Sequence, residues 1–232
     1  MIEVTEKQNC CGCTACVAVC PKNCIEMKED MEGFLYPEVD QSSCIHCNAC
    51  DRVCPILNVK ERKPFEQSAY IVQNKDVEVL RESTAGGAFT AIAKYVIHNS
   101  GVVFGVELNK NLEAHHIYVE DVTELKRFRN SKYVQSSVGG TLRKVKFFLE
   151  QGKTVCFSGT PCQIEGLKCY LKKDYENLIT VDVVCRAVPS PLIFRKYVEL
   201  QKQELEDDIK TVRFRDKYYG YKYSTCLLYT SP

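Results

Sequence analysis

Eight of the ten cysteines and two of the three prolines in the first 55 residues constrain this chain more than anything that follows them. Cys10, Cys13, Cys16 and Cys20 precede Pro21, and the same C-x2-C-x2-C-x3-C-P spacing returns as Cys44, Cys47, Cys50 and Cys54 before Pro55. This is the spacing of a chain that holds two 4Fe-4S clusters. A cubane needs four thiolates converging from four directions. Three from one tight loop cannot close the cage, and in this pattern the fourth crosses over from the other repeat. The expected sets are Cys10, Cys13 and Cys16 with Cys54, and Cys44, Cys47 and Cys50 with Cys20. Zinc sites pair short C-x2-4-C or His units instead of running four cysteines before a proline. His46 sits at a spacer position in the second loop, and Cys11 and Cys24 fall outside the ligand register, where cysteine acts as a small packed residue.

The remaining composition agrees. The chain has fifteen cysteines, an odd number concentrated in the two repeats, and its opening MIEVTEKQ has no apolar stretch for a signal peptide. A reducing, cytoplasmic compartment is expected in place of a disulfide scaffold. No run approaches the ~18 apolar residues of a membrane span, so direct membrane insertion is not expected. At 232 residues the chain allows about two domains. Residues 1–60 carry five Lys/Arg against nine Asp/Glu, leaving 26 against 21 for the rest, so an acidic cluster-bearing end precedes a mildly basic remainder.

The organisation follows from the punctuation. Residues 1–57 form a two-cluster, ferredoxin-type α+β domain. In it Ile25-Glu26-Met27 and Phe34-Leu35-Tyr36 flank the turn-like Asp30–Gly33, a hairpin between the cluster loops. With few large apolar residues, that domain is held largely by its metal centres. A charged stretch with Pro64 marks a linker at 58–67. From 68 to 224 strand and helix signals alternate. Strands are expected near 69–72, 102–106, 116–119, 154–157, 181–184 and 211–214, and helices over 86–99, 142–149, 163–171 and 191–204. The alternation predicts an α/β domain with a mixed or parallel sheet.

Two strand-to-helix junctions are candidates for cofactor contact. In Phe157–Gln163 a strand runs through Ser158, Gly159 and Thr160 into a helix, a start whose free backbone N–H groups suit an anion such as a pyrophosphate. Ser83-Thr84-Ala85-Gly86-Gly87 likewise sets hydroxyls and two glycines ahead of a helix, where a ligand can approach the backbone closely. Neither is a G-x-G-x-x-G or Walker loop, and each also reads as an ordinary capped helix start. Between Lys126 and Lys146 lie seven basic residues, either an attractor for an anionic cofactor or acidic cosubstrate, or a solvated helical face. Cys156, Cys162, Cys169 and Cys185 match no cluster spacing and read as buried structural residues. The aromatic and basic run from Arg213 to Tyr223 reads as a strand and turn, and with net charge +1 it gives no footprint for nucleic acid.

Five separated segments carry a resemblance: Cys10–Cys16, Ser83–Phe89, Asn130–Ser136, Ser158–Gln163, and Val184-Cys185 with Val188–Pro191. In that order they resemble the coenzyme F₄₂₀ hydrogenase/dehydrogenase beta subunit family over about residues 8–224. The resemblance implies a flavin-binding α/β domain that moves electrons between iron-sulfur centres and a hydride acceptor, the deazaflavin coenzyme F₄₂₀ in archaeal members. Clusters pass one electron at a time and a hydride carries two, so a converter is required, and the resemblance supplies FAD. By residue matching the flavin contacts are Ser158, Gly159, Thr160 and Gln163 on one side and Ser83, Gly86 and Gly87 on the other, with Lys132 and Ser136 next. Arg186-Ala187 stand where the family carries His-Gly. Thr225–Pro232 look unrelated to it, a non-native tail on an incomplete α/β domain.

Three functional classes follow. The first is an iron-sulfur flavoprotein oxidoreductase working with a small-molecule hydride donor or acceptor, either coenzyme F₄₂₀ or a substitute. The second is a relay subunit that only feeds a redox partner protein or larger subunit. The third is a non-redox member linked to polysaccharide biosynthesis.

Overall fold

The structure, a computed structural model, describes residues 1–59 and 66–215, and residues 226–228 in backbone only. Most of the expected linker and tail, and Tyr223, lie outside the described residues.

Each cysteine repeat turns into one short helix, α1 (Ala15–Val19) and α2 (Ala49–Val53). The repeats share their backbone conformation. Gly12 and His46, at matching positions, have φ of 64° and 50°, and Thr14 and Asn48, the residues before each helix, have φ of 62° and 54°. His46 is therefore a turn-former in the second loop, as Gly12 is in the first. Between the repeats, β1 (Ile25–Glu29) and β2 (Leu35–Val39) pair antiparallel, Ile25 opposite Val39, forming the expected hairpin.

The main sheet has four strands in the order β4-β3-β5-β6: β3 (Val102–Leu108), β4 (Ala114–Val119), β5 (Val155–Gly159) and β6 (Leu178–Asp182). β3 runs antiparallel to β4 and parallel to β5, and β5 runs parallel to β6, so the sheet is mixed. Period-two alternation distributes its faces. Val102, Phe104, Val155 and Phe157 point to one core with α5 (Thr141–Glu150) and α6 (Pro161–Leu171). Val103 and Cys156 point to the other, under α4 (Ala88–His98) and the 3-10 turns of Val122–Phe128. A third cluster joins α7 (Pro191–Leu205) to Leu112, Ala114, Val134 and Val212, the last on β7 (Thr211–Arg213), which pairs with β8 (Cys226–Leu228).

Three expectations shift. Residues 69–72 form no strand. The Val72 carbonyl lies against Gly86, Asn74 N–H bonds to Gly86 O, and Ile71 is fully exposed, because the segment is committed to the Gly86 loop and not to a sheet edge. The strand expected at 181–184 runs instead over Leu178–Asp182. Val183 makes one more bond to Gly159 O before Val184 leaves the sheet for solvent. The helix α3 (Val77–Glu82) was not anticipated; Asp76 caps it by accepting from Glu78 N and Val79 N.

The two halves of the chain share a core. Cys13, Ala15, Ala18 and Val53 are buried with Val138, Leu142, Val145, Ile164 and Leu167 in one cluster. α6 meets the first cysteine loop so closely that a Cβ on Gly166 would stand 2.6 Å from the Cys13 Cβ and 2.8 Å from its Sγ. Arg143 of α5 donates to the carbonyls of Ala18 (2.8 Å), Val17 (2.9 Å) and Cys20 (3.3 Å), placing its charge at the C-terminal end of α1.

Candidate functional site

The cysteines gather at two places. Cys20, Cys44, Cys47 and Cys50 line a single small cavity. The lining combines three cysteines of the second repeat with the fourth of the first. The Cys50 sulfur accepts from Ile2 N–H at 3.2 Å, the type of bond that stabilises a thiolate. At the other place Cys16 lies among Cys10, Cys54 and Cys50. Burial, and then the negative charge of Cys10 and Cys54, push its thiol up to about 12. Burial also pushes Cys10 up, with Cys54 again a neighbour. Cys13 faces Gly166 and hydrogen-bonds to Cys11, and Cys11 bonds in turn to Cys162. A metal-free chain holds such thiols protonated near neutral pH, so loading with metal releases protons.

The motif loops converge on one stretch, Asn130–Ser137. Ser131 N–H and Oγ bond to the Thr84 hydroxyl at 3.0 and 3.2 Å, tying in the 83–87 loop. Gln135 N–H bonds to Pro189 O at 3.1 Å, tying in the segment before α7. The Gln135 side chain reaches the cluster-bearing half. Its Oε1 accepts from Leu35 N–H, and a Cβ on Gly12 would stand 2.9 Å from its Nε2.

From Ser136 a chain of hydrogen bonds runs into the Phe157–Gln163 junction. Gln163 Nε2 donates to Ser136 Oγ (3.0 Å), Ser136 Oγ bonds to His116 Nδ1 (3.4 Å), and His116 Nε2 bonds to Ser158 O (3.2 Å). Because Ser158 O only accepts, His116 carries its proton on Nε2 and accepts on Nδ1. Its ring stacks on Phe157, 5.3 Å between centroids and 6° from parallel, and burial lowers its pKa to about 4, so it is neutral at physiological pH. Ser136, Ser158 and Gln163 thus meet in one network. The sequence gives His116 no signal there beyond its place on β4.

The α6 start is a full capping box. Thr160 accepts from the Gln163 backbone, and Gln163 Oε1 accepts from Thr160 N–H at 2.9 Å. With Pro161 lacking an N–H, few donors of that first turn remain free. Gly159 is required by the same box, since a Cβ there would stand 2.9 Å from Gln163 Oε1. The 83–87 loop is likewise filled from within. Ser83 Oγ donates to Val79 O, Asn74 Nδ2 donates to Gly87 O, Gly87 adopts φ +74°, and a Cβ on Gly86 would stand 2.1 Å from Val72 O.

Lys132 faces another feature. Its ammonium donates to the Arg127 and Arg129 carbonyls at 3.0 and 2.8 Å, and burial lowers its pKa to about 8. It lines an open groove of about 1,120 Å³ with Arg129, Asn130, Ser131, Lys210 and Arg213, among others. Arg129 is paired with Glu82, yet its Nε and the Asn130 Oδ1 are buried with no partner among the described residues. The basic stretch divides accordingly. Lys126, Arg127, Arg129 and Lys132 border this groove, whereas Arg143, Lys144 and Lys146 lie on α5, against α1, Tyr118 and Tyr170.

Cys156 and Cys169 are buried, as small apolar residues are. Cys162 is half-buried, 3.1 Å from Thr160 Oγ1, and Cys185 is exposed beside it, so these two depart from the expected burial. Sequence reasoning also passed over Gln135 and Arg143, polar residues whose importance comes from contacts a hundred or more positions away. No described helix is long and apolar enough to cross a membrane.

No curated protein matches the chain. A solved chain of the F₄₂₀-reducing NiFe hydrogenase complex from Methanosarcina barkeri is similar at 19% identity and a TM-score of 0.49. The match covers 62% of this chain and 54% of that one, so this chain spans about half its length. Residues 9–57 match the 4Fe-4S dicluster domain, and residues 152–226 match the C terminus of the coenzyme F₄₂₀ hydrogenase/dehydrogenase beta subunit. The chain therefore carries, in order, a region similar to the 4Fe-4S dicluster domain and a region similar to the C terminus of the coenzyme F₄₂₀ hydrogenase/dehydrogenase beta subunit.

Proposed function

We propose that the chain is an iron-sulfur flavoprotein oxidoreductase that passes electrons between two 4Fe-4S clusters and a hydride acceptor or donor by way of FAD. The observation that carries this is the convergence on Asn130–Ser137. One short stretch contacts the first cysteine loop through Gly12, the 83–87 loop through Thr84 and the α6 junction through Gln163. A redox relay needs its carriers close together, and this stretch is where the cluster-bearing half meets the motif loops.

The residues fit the clusters. Cys44, Cys47, Cys50 and Cys20 would hold one, as their shared cavity suggests. Cys10, Cys13, Cys16 and Cys54 would hold the other, with three of them mutually close and Cys13 placed against α6. The groove beside Lys132 fits an anionic dinucleotide better than the α6 N-terminus does, because it gathers Lys126, Arg127, Arg129, Lys132, Lys210 and Arg213 while the α6 capping box uses its own donors. Lys132, Ser131 and Asn130 would hold that cofactor; Ser83, Gly86 and Gly87, and Ser136, Ser158, Gly159, Thr160 and Gln163, lie outside the groove's lining, joined to it through the Ser131–Thr84 bond and the Asn130–Ser137 stretch. FAD supplies the exchange between one-electron and two-electron carriers. The protein's part is to seat the carriers on one rigid stretch and to keep His116 neutral beside them. Coenzyme F₄₂₀ or a substitute is the small-molecule partner. A larger redox subunit faces the second cysteine loop, where Ile45, His46 and Cys47 are exposed, and the work is cytoplasmic.

Anaerobic purification with iron, sulfide and flavin counted per chain tests the reading. About eight iron and one flavin are expected. Eight iron with no flavin, even after FAD is added, would leave a relay module and overturn the oxidoreductase.

A further inference from the structure

The cavity lined by Cys20, Cys44, Cys47 and Cys50 holds a fifth thiol, Cys24. Pro21, Lys22 and Asn23 make a tight turn, with Asn23 N–H on Cys20 O and a left-handed φ of 51° at Asn23, that folds the chain back on itself. Cys24 therefore comes alongside Cys20, with 3.4 Å between the sulfurs, and shares the cavity's lining with Cys44. It is 7% exposed, against 9% for Cys20, and its carbonyl accepts from Asp40 N–H, which ties it to the end of the hairpin. Cys24 packs with Ile2 and Ile25 as a small buried residue does, and it also joins the thiols of the cage. The other repeat has no such residue. Four positions after Cys54 stands Asn58, whose Nδ2 donates to the carbonyls of Asp51 and Cys54.

We infer that Cys20 and Cys24 are alternative fourth ligands of one cluster, so that this cage, and not the other, tolerates loss of its crossover cysteine. The inference rests on the two-cluster reading above. In the exchange one iron–sulfur bond to Cys20 breaks as one to Cys24 forms. The proton leaving Cys24 passes to Cys20 across the 3.4 Å between them, and no electron is gained or lost.

The test compares Cys20→Ala, Cys24→Ala, the double variant and Cys54→Ala, each purified anaerobically and assayed for iron and sulfide per chain and for the spectrum of the reduced clusters by electron paramagnetic resonance. A wild-type chain with about eight iron establishes the two-cluster reading separately. Given that, Cys20→Ala is expected to keep about eight iron with one altered cluster signal, the double variant to drop to about four, and Cys54→Ala to drop to about four on its own. Cys20→Ala falling to the same iron content as the double variant overturns the inference. Should Cys20→Ala arrive without iron, reconstitution with ferrous iron and sulfide decides: uptake of about eight supports the alternative ligand, and uptake of about four overturns it.

Discussion

The two cysteine loops have one spacing and opposite surroundings. In the first, Cys13 is 8% exposed and packed under Gly166, α1 is held by Arg143, and Ala15 and Ala18 belong to the core of the sheet. In the second, Ile45 is 56% exposed and His46 and Cys47 face solvent. Identical chemistry is thus given an inside and an outside: one loop is built into the α/β half, and the other is presented to whatever approaches. In the proposed relay, that asymmetry would put one cluster within reach of a partner and the other against the α/β half.

The comparison breaks most clearly at equivalent cysteines. Cys13→Ala and Cys47→Ala should each lose about four iron, because a cage of four thiolates has no ligand to spare at those positions. Only Cys13→Ala should also loosen the junction, seen as faster limited proteolysis of residues 141–171. Equal proteolysis of the two variants would erase the distinction between the loops. Gly166→Ala probes the inner side without touching a ligand. Its methyl would press on Cys13, and a cost of about 1–3 kcal/mol in urea unfolding is expected, with iron lost from one cluster only. Full iron with unchanged stability would show that α6 has room to give. Arg143→Gln should act least, at about 1–2 kcal/mol for the lost carbonyl bonds. Removing a cation near Cys20 should also lower the midpoint potential of one cluster in a redox titration while leaving the other unmoved. A uniform shift of both would mean that Arg143 acts only as a strut.

What the sequence disclosed follows the range of each signal. The cluster spacing, the hairpin, β3, β4, β5, α5, α6 and α7 are local patterns, and all are recognisable within about fifteen residues. The Ala69–Val72 run misled because apolar alternation marks a willing strand but not an available partner. The glycines of 86–87 and Gly159 invite a ligand in sequence, yet Val72 O and Gln163 Oε1 fill the space beside them, a fact that only long-range folding decides. His116 stands in sequence only as a residue of a strand, and its role depends on Phe157 and Ser158 of β5 and on Ser136 from the Asn130–Ser137 stretch. Cys24 was legible in principle: comparing the repeats position by position sets it against Asn58.

The left-handed residues of the two loops bear on how the module assembles. A non-glycine residue in that conformation costs about 1–2 kcal/mol. In the first loop Gly12 avoids this cost, leaving Thr14, which is backed by core packing. In the second loop His46 carries it, Asn48 is of a type that visits this conformation more readily, and the loop around His46 is exposed. The inner loop, packed against α6, would then be the better ordered of the two before metal arrives, and a chain caught half-filled would have its exposed end as the less ordered one.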